Sequence, residues 1–145
     1  MTAIIMNTLT GAVSEHSLSF DSITPTNAAS ATGLFTMGGD LDHEQPIVAE
    51  VVTGEVLWDS QSKKHIDMVW LSLSGEGKGE LIVKGRKGGE YRYAFPVRDT
   101  GQSRAVPGKG IRENYLAFGY SNPDGDDFTL DRIEVGVLQS KTRRV

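Results

Sequence analysis

The fold is decided by the stretch ENYLAFGYSNPDGDDFTLDRIEVGVLQSKTRRV, residues 113–145. Residues 115–120 alternate with the two-residue period of a half-buried strand. The segment NPDGDD, residues 122–127, then predicts a tight polar turn, because Pro123 pre-sets φ and Gly125 tolerates positive φ. The stretch therefore begins with a strand that ends in a sharp turn.

A second strand is predicted after this turn, and its apolar period breaks once. Phe128 and Leu130 are in phase with each other, whereas the apolar residues from Ile133 onward are one position out of phase. A β-bulge at Asp131 and Arg132 explains this slip, since a bulge inserts one extra residue into a strand. We therefore expect a long antiparallel hairpin that ends the chain and carries no catalytic motif.

Length and composition are those of one soluble domain. A chain of 145 residues buries about 68–70% of its unfolded surface, which is enough for one core without disulfides or metal. There is no cysteine, so the chain has neither a disulfide framework nor a thiolate metal site. Glycine accounts for 17 of the 145 residues, which is more than the usual share of about 7%. These glycines fall between strand-like runs, where they predict turns.

Charge and hydropathy exclude several classes of partner. The net charge is −4 and the basic residues are dispersed, which argues against binding to nucleic acid or to an anionic membrane. No apolar run approaches the roughly 20 residues of a transmembrane helix, so no membrane insertion is expected. The first residues lack the features of a secretory signal, and synthesis in a cytoplasm is expected.

The pattern along the chain predicts an all-β fold. No long segment has helical periodicity, while strand-like runs separated by Gly, Pro, Asn and Asp occur throughout. We expect a single antiparallel β-sandwich, jelly-roll-like, with about eight to ten strands. It should form one domain over residues 1–145, with extended arms at residues 1–10 and 138–145.

Three further local predictions concern the middle of the chain. Residues 65–73 predict a central strand or one covered by a neighbouring subunit, with Ile66, Met68 and Trp70 on one face and Val69, Leu71 and Leu73 on the other. Pro96 should lie on a sheet edge or at the end of a strand. Residues 98–110 are polar and rich in Gly and Pro, and they predict the longest structureless connection.

Metal-binding patterns are weak. His16, His43 and His65 lie far apart and share no chelating spacing. The acidic segment 122–127 does not fit the calcium loop of an EF-hand, and residues 39–42 are better explained as an acidic turn. We therefore expect no metal site.

Nucleotide-binding and catalytic motifs also fail. Residues 103–110 lack the spacing of a phosphate-binding loop, and the glycines of residues 75–79 precede a strand instead of a helix. There is no nucleophile elbow and no thiol. We expect no cofactor, no catalytic residue and no enzymatic activity.

An aromatic row has two interpretations. Tyr91, Tyr93 and Phe95 share one face of a predicted strand. Such a row is more often part of a core, but it could also form a sugar-stacking platform together with Trp58. Trp58 and Trp70 are both expected to be packing residues.

Several segments, taken in order, resemble a family of tailed-bacteriophage virion proteins found at the tail tip and associated with the tail. The resembling segments are SFDSI (19–23), ATGLFTMGGD (31–40), IVAEVVTG (47–54), GELIV (79–83), YRYAF (91–95), GKGIRENY (108–115), DGDDFTLDRIEV (124–135) and RRV (143–145). Residues 59–73 carry no segment of this resemblance.

The resemblance implies a role and no catalytic residues. It implies a structural protein of the virion tail, such as a tail-tip, baseplate or adaptor subunit. Its partners would be other virion proteins, and it would form a homo-oligomeric ring or occur in many copies. The candidate partner-contact residues are Arg143, Arg144 and Val145. Two alternatives stay open, namely a carbohydrate-binding module for receptor recognition and a capsid decoration protein.

Overall fold

The computed structural model describes residues 3–6, 8–9, 11, 13–16, 20–39, 41–42, 44–58, 61–86 and 88–139. These residues form antiparallel strands and no helix, so the prediction of an all-β fold is confirmed. The chain divides into two compact units, which we call unit 1 (Met1–Gly39) and unit 2 (Asp40–Val145). The single domain over residues 1–145 stays a prediction.

Unit 1 consists of short strands. Its described residues form β1 (Ala3–Met6), β2 (Val13–His16), β3 (Ser22–Ile23), β4 (Asn27–Ser30) and β5 (Gly33–Thr36). β1 and β2 pair as an antiparallel hairpin, and β4 lies between β3 and β5 in a three-stranded sheet. Among the described residues of this unit, Ala28 alone is a buried apolar residue.

Unit 2 contains two larger sheets and a short hairpin. Its described strands are β6 (Leu41–Asp42), β7 (Gln45–Pro46), β8 (Glu50–Val52), β9 (Lys64–Gly75), β10 (Lys78–Gly85), β11 (Glu90–Pro96), β12 (Gln102–Ala105), β13 (Leu116–Ser121) and β14 (Phe128–Gln139). The four-stranded sheet has the order β11-β10-β13-β8, and the three-stranded sheet has the order β12-β9-β14. The described residues form 14 strands, more than the expected total of about eight to ten, and three of them are only two residues long.

The predicted terminal hairpin is wrong. β13 and β14 are consecutive, but β13 pairs with β10 and β8, whereas β14 pairs with β9. Every residue of β13 is buried, and such a strand belongs in the interior of a sheet with a partner on each side. The turn at residues 122–127 has the predicted form, with Gly125 at φ 79°. It carries the chain from one sheet to the other instead of closing a hairpin.

The predicted β-bulge in β14 is confirmed. Leu130 pairs with Leu73 and Arg132 pairs with Ser72, so Asp131 is the extra residue. The bulge allows Leu130 and the apolar residues after it to pack against one core, as the break in the apolar period indicated.

β9 is the central strand of its sheet, as predicted, but the predicted assignment of its faces is wrong. A second register shift falls between Gly136 and Val137, which pair with Met68 and Ile66 and leave Asp67 unpaired. Because of this irregularity, Ile66 points into the core together with Val69, Leu71 and Leu73. Met68 and Trp70 lie half-buried on the opposite face.

Residues 98–110 do not form the structureless connection that was predicted. β12 lies within them and pairs with β9. Ser103 and Ala105 are buried, and the Ser103 hydroxyl accepts a hydrogen bond of 2.9 Å from the Arg98 amide. Pro96 ends β11 on the edge of the four-stranded sheet, as predicted.

One hydrophobic core is shared by the two larger sheets. Its buried members come from both sheets and include Leu71 and Leu81, which have no exposed surface. The Tyr120 ring contacts Phe128 of the other sheet at 4.6 Å between centroids and lies 6.1 Å from Phe95. These three aromatic side chains join the sheets at one end of the core.

Candidate functional site

The histidines and acidic residues singled out in the sequence do not form a metal site within the described part of the chain. Among the described residues, no three His, Asp or Glu side chains lie close enough to hold a metal ion. His16 lies in β2 and His65 in β9. Outside the described residues lie His43 and the candidate partner-contact residues Arg143, Arg144 and Val145.

The aromatic row is divided between the core and the surface. Phe95 is buried and Tyr93 packs against the core, while Tyr91 is 45% exposed. The Trp58 indole N–H donates a hydrogen bond of 3.0 Å to the Leu116 carbonyl, and its ring meets Phe118 edge to face at 5.5 Å. Tyr91 is thus the most exposed member of this set.

A charged cluster covers the outer face of the four-stranded sheet, and it consists of Glu50, Glu80, Lys84, Glu90 and Arg92. The Arg92 guanidinium contacts Glu50 at 2.6 Å, Glu90 at 2.7 Å and Glu80 at 3.4 Å. The Lys84 ammonium contacts Glu90 at 3.0 Å and Glu50 at 3.7 Å. Both cations are neutralised by carboxylates of the same sheet, so the charged cluster is already internally paired.

The charged cluster spans β13. Glu50 lies on β8 and its partners lie on β10 and β11, so its side chain must reach across β13. In the register, Ser121 of β13 lies between Glu50 of β8 and Glu80 of β10. Ile82 lies opposite Gly119 in the register and has no exposed surface. The cluster therefore shields an apolar residue on the outer face of the sheet.

The ion pairs shift the pKa values of their members. Hydrogen bonds from Lys84, and then from Arg92, hold the pKa of the Glu90 carboxyl below its usual range. The hydrogen bond to Glu90 raises the pKa of the Lys84 ammonium. Hydrogen bonds to Glu50 and Glu90 likewise raise the pKa of the Arg92 guanidinium. All three groups therefore remain charged at neutral pH.

A polar cleft of about 310 Å³ opens at one end of unit 2, lined by Lys63, Arg86, Glu113, Asn114 and Tyr115. The Arg86 guanidinium carbon lies 4.4 Å from the centre of the Tyr115 ring, so this ring is covered by a cation. The Asn114 side chain donates a hydrogen bond of 2.9 Å to the Gln61 carbonyl. The cleft joins charges of both signs and contains no paired catalytic acid and base among the described residues.

Unit 1 presents an apolar face on its first hairpin. Met6 pairs with Val13 in the register, and Ile4 lies on the same face of β1 as Met6. The side chains are 72% exposed at Ile4, 61% at Met6 and 64% at Val13. We call Ile4, Met6 and Val13 the apolar hairpin face. The first hairpin of unit 1 therefore presents an exposed apolar surface.

Sequence reasoning missed the charged cluster and the polar cleft. Alternation did place Glu90 and Arg92 on the face opposite the aromatic row. The same alternation puts Glu80 and Lys84 on one face of β10, and opposite charges on neighbouring strands are a usable signal. Glu50 gives no such signal, because it joins Arg92 from a strand 42 residues away in the chain.

Comparison of the chain with protein-family models, curated proteins and solved structures found no match. In the part of the chain that the structure describes, no helix is long and apolar enough to cross a bilayer.

Proposed function

We propose that this protein is a non-enzymatic structural subunit of a tailed-bacteriophage virion, placed in the tail as a tail-tip, baseplate or adaptor component. It acts by binding neighbouring virion proteins and is present in several copies. The observation that carries this proposal is the apolar hairpin face, since Ile4, Met6 and Val13 remain 61–72% exposed. A subunit that is completed by its neighbours accounts for such a face.

The two larger sheets of unit 2 form, in this proposal, a β-sandwich of the jelly-roll-like type. Supporting it, the buried residues Leu71 and Leu81 belong to different sheets and to the same core. The contact of Tyr120 with Phe128 also joins the two sheets. A compact body of this kind suits a subunit that is repeated in a symmetric assembly.

Particle incorporation tests the proposal. The Met6→Asp and Val13→Asp substitutions place charge on the apolar hairpin face, and the matched control Thr8→Asp adds the same charge in the exposed turn of the same hairpin. In phage complemented with each variant, we expect mass spectrometry of purified particles to find Thr8→Asp and to miss the other two. Incorporation of all three variants at the wild-type level would contradict the role of this face.

Immunogold electron microscopy of the same particles tests the location. Label at the tail supports the proposal, and label over the head would indicate a capsid decoration protein instead. If the infected culture contains the protein in soluble form but the purified particles lack it, the assignment to the virion is wrong.

A carbohydrate-binding module is the second candidate, and the exposure of Tyr91 favours it. Tyr91 is 45% exposed at the start of β11, where its ring lies beside Gly89. A sugar could stack on this ring, whereas the Trp58 indole is held by the Leu116 carbonyl. Binding to a glycan array that disappears in Tyr91→Ala would favour this candidate over a purely structural role.

A further inference from the structure

The outer edge of β14 has no strand beside it in the part of the chain that the structure describes. β14 is 12 residues long and is the terminal strand of the order β12-β9-β14, so it pairs on one side with β9. Among the described residues, no strand pairs with its other side. A long edge presents a row of unpaired amide and carbonyl groups, which is a template for adding another strand.

The core is also incompletely covered along this edge. On β9, the core residues Val69 and Leu71 have no exposed surface. Their register partners on β14, Val135 and Ile133, point toward the same core but are only partly buried. Leu138, near the end of β14, is 57% exposed. A strand added beside β14 would cover this half-buried row.

The charges of β14 indicate which strand fits. Arg132 and Glu134 flank Ile133, and their side chains are 69% and 50% exposed. In an antiparallel pair of two identical strands related by a twofold axis at Ile133, Arg132 of each strand lies opposite Glu134 of the other. Such a pair makes two cross-strand contacts between opposite charges, and these stabilise an antiparallel sheet.

We propose that β14 pairs antiparallel with β14 of a second copy of this chain, about a twofold axis at Ile133. The two three-stranded sheets then form one continuous sheet in the dimer. Ile133 meets Ile133 of the partner subunit on the core side, and the Arg132 and Glu134 pairs lie on the outer side. This inference is independent of the virion assignment, because it concerns the purified chain alone.

Charge-reversal variants in solution test the proposal. By analytical ultracentrifugation over a concentration series, we expect the wild-type chain to be a dimer. Arg132→Glu and Glu134→Arg each place like charges opposite each other twice, so each should weaken the dimer by on the order of 10-fold or more. An equimolar mixture of the two variants should restore the dimer. One chain is then acidic at both positions and the other is basic at both, so opposite charges again face each other across the axis.

The mixture separates this pairing from an effect within one chain. The contact between Arg132 and Glu134 inside each chain is lost in both variants, and mixing cannot restore it. Arg104→Glu is the matched control, since Arg104 is exposed on β12 at the opposite edge of the same sheet and its reversal should leave the dimer unchanged. Far-ultraviolet circular dichroism checks that each variant keeps its strands.

Two results would overturn the proposal. A wild-type chain that stays monomeric at all concentrations would mean that the bulge and the charges of β14 protect the edge against pairing. A dimer that persists in both single variants, or that mixing fails to restore, would show that the twofold axis does not lie at Ile133.

Discussion

Unit 1 and unit 2 use the same kinds of apolar residue in opposite ways. In unit 2, Leu71 and Leu81 have no exposed surface and belong to one core. In unit 1, Ile4 is 72% exposed and Leu34 is 76% exposed. Unit 2 therefore contains nearly all of the apolar burial among the described residues, whereas the large apolar side chains at these positions of unit 1 are exposed.

The largest effect is expected from a cavity in the core of unit 2. Leu81→Ala should lower the free energy of unfolding by about 2–5 kcal/mol, because Leu81 is fully buried at the centre of β10. Urea denaturation measures this loss, and Leu81→Met, which conserves volume, should cost less than about 1.5 kcal/mol. If Leu81→Ala and the wild type have the same free energy of unfolding, burial of Leu81 does not stabilise the fold as we expect.

The next largest effect is expected from overpacking of the aromatic side chains in the core. A Cβ at Gly79 would lie 2.5 Å from the Tyr120 ring and 2.9 Å from the Phe95 ring. Gly79→Ala should therefore cost about 1–3 kcal/mol in the same measurement. The control is Gly110→Ala, where a Cβ would meet nothing within 4 Å. Equal stability of the two variants would mean that the aromatic cluster can move apart without cost.

A smaller effect is expected from the charged cluster of unit 2. Glu50→Gln keeps the size of the side chain and removes the charge that both Lys84 and Arg92 contact. Because the Glu50 and Arg92 side chains are more than a third exposed, the loss should be at most about 1 kcal/mol and should shrink at high salt. A loss that is independent of salt would point to packing instead of charge.

The same cluster should make unit 2 sensitive to acid. The pKa of the Glu90 carboxyl is lowered from its ordinary value of 4.5, so this group stabilises the fold above that pH. The contribution should disappear as the pH falls through the lowered pKa. In denaturation curves from neutral to acidic pH, Glu90→Gln should therefore lose less stability than wild type. Parallel pH profiles of the two proteins would contradict the pairing of Glu90.

The smallest effect is expected in unit 1. Leu34→Ala should change the free energy of unfolding by no more than about 0.5 kcal/mol, because its side chain is 76% exposed in β5. Thermal unfolding measures the change, with Leu81→Ala as the buried counterpart. A loss comparable to that of Leu81→Ala would remove the contrast between the two units.

Local chemistry in the sequence predicted the strands and turns well. The period-two pattern indicated an all-β chain, Gly125 marked the turn, and the phase slip located the bulge at Asp131. Each of these features depends on residues that are close in the chain, so the sequence carries a direct signal for them.

Pairing between distant strands could not be predicted in the same way. Adjacent apolar strands with a turn between them look like a hairpin, and nothing local shows that β13 and β14 enter different sheets. The irregularity at Asp67 was also not predicted, because it appears only when β9 is paired with β14. The charged cluster needed Glu50 from a distant strand, so the candidate site was less predictable than the fold.

The pairing of β9 with β14 has a consequence for how the protein is made. β9 begins at Lys64 and its partner β14 ends at Gln139, so the three-stranded sheet joins two segments that lie far apart in the chain. Contacts between such distant segments form slowly, since a long loop must close before they are gained. On the ribosome, the sheet can therefore close only after the residues of β14 have left the exit tunnel. Prematurely terminated chains should expose the apolar side of β9 and become substrates for chaperones or proteases.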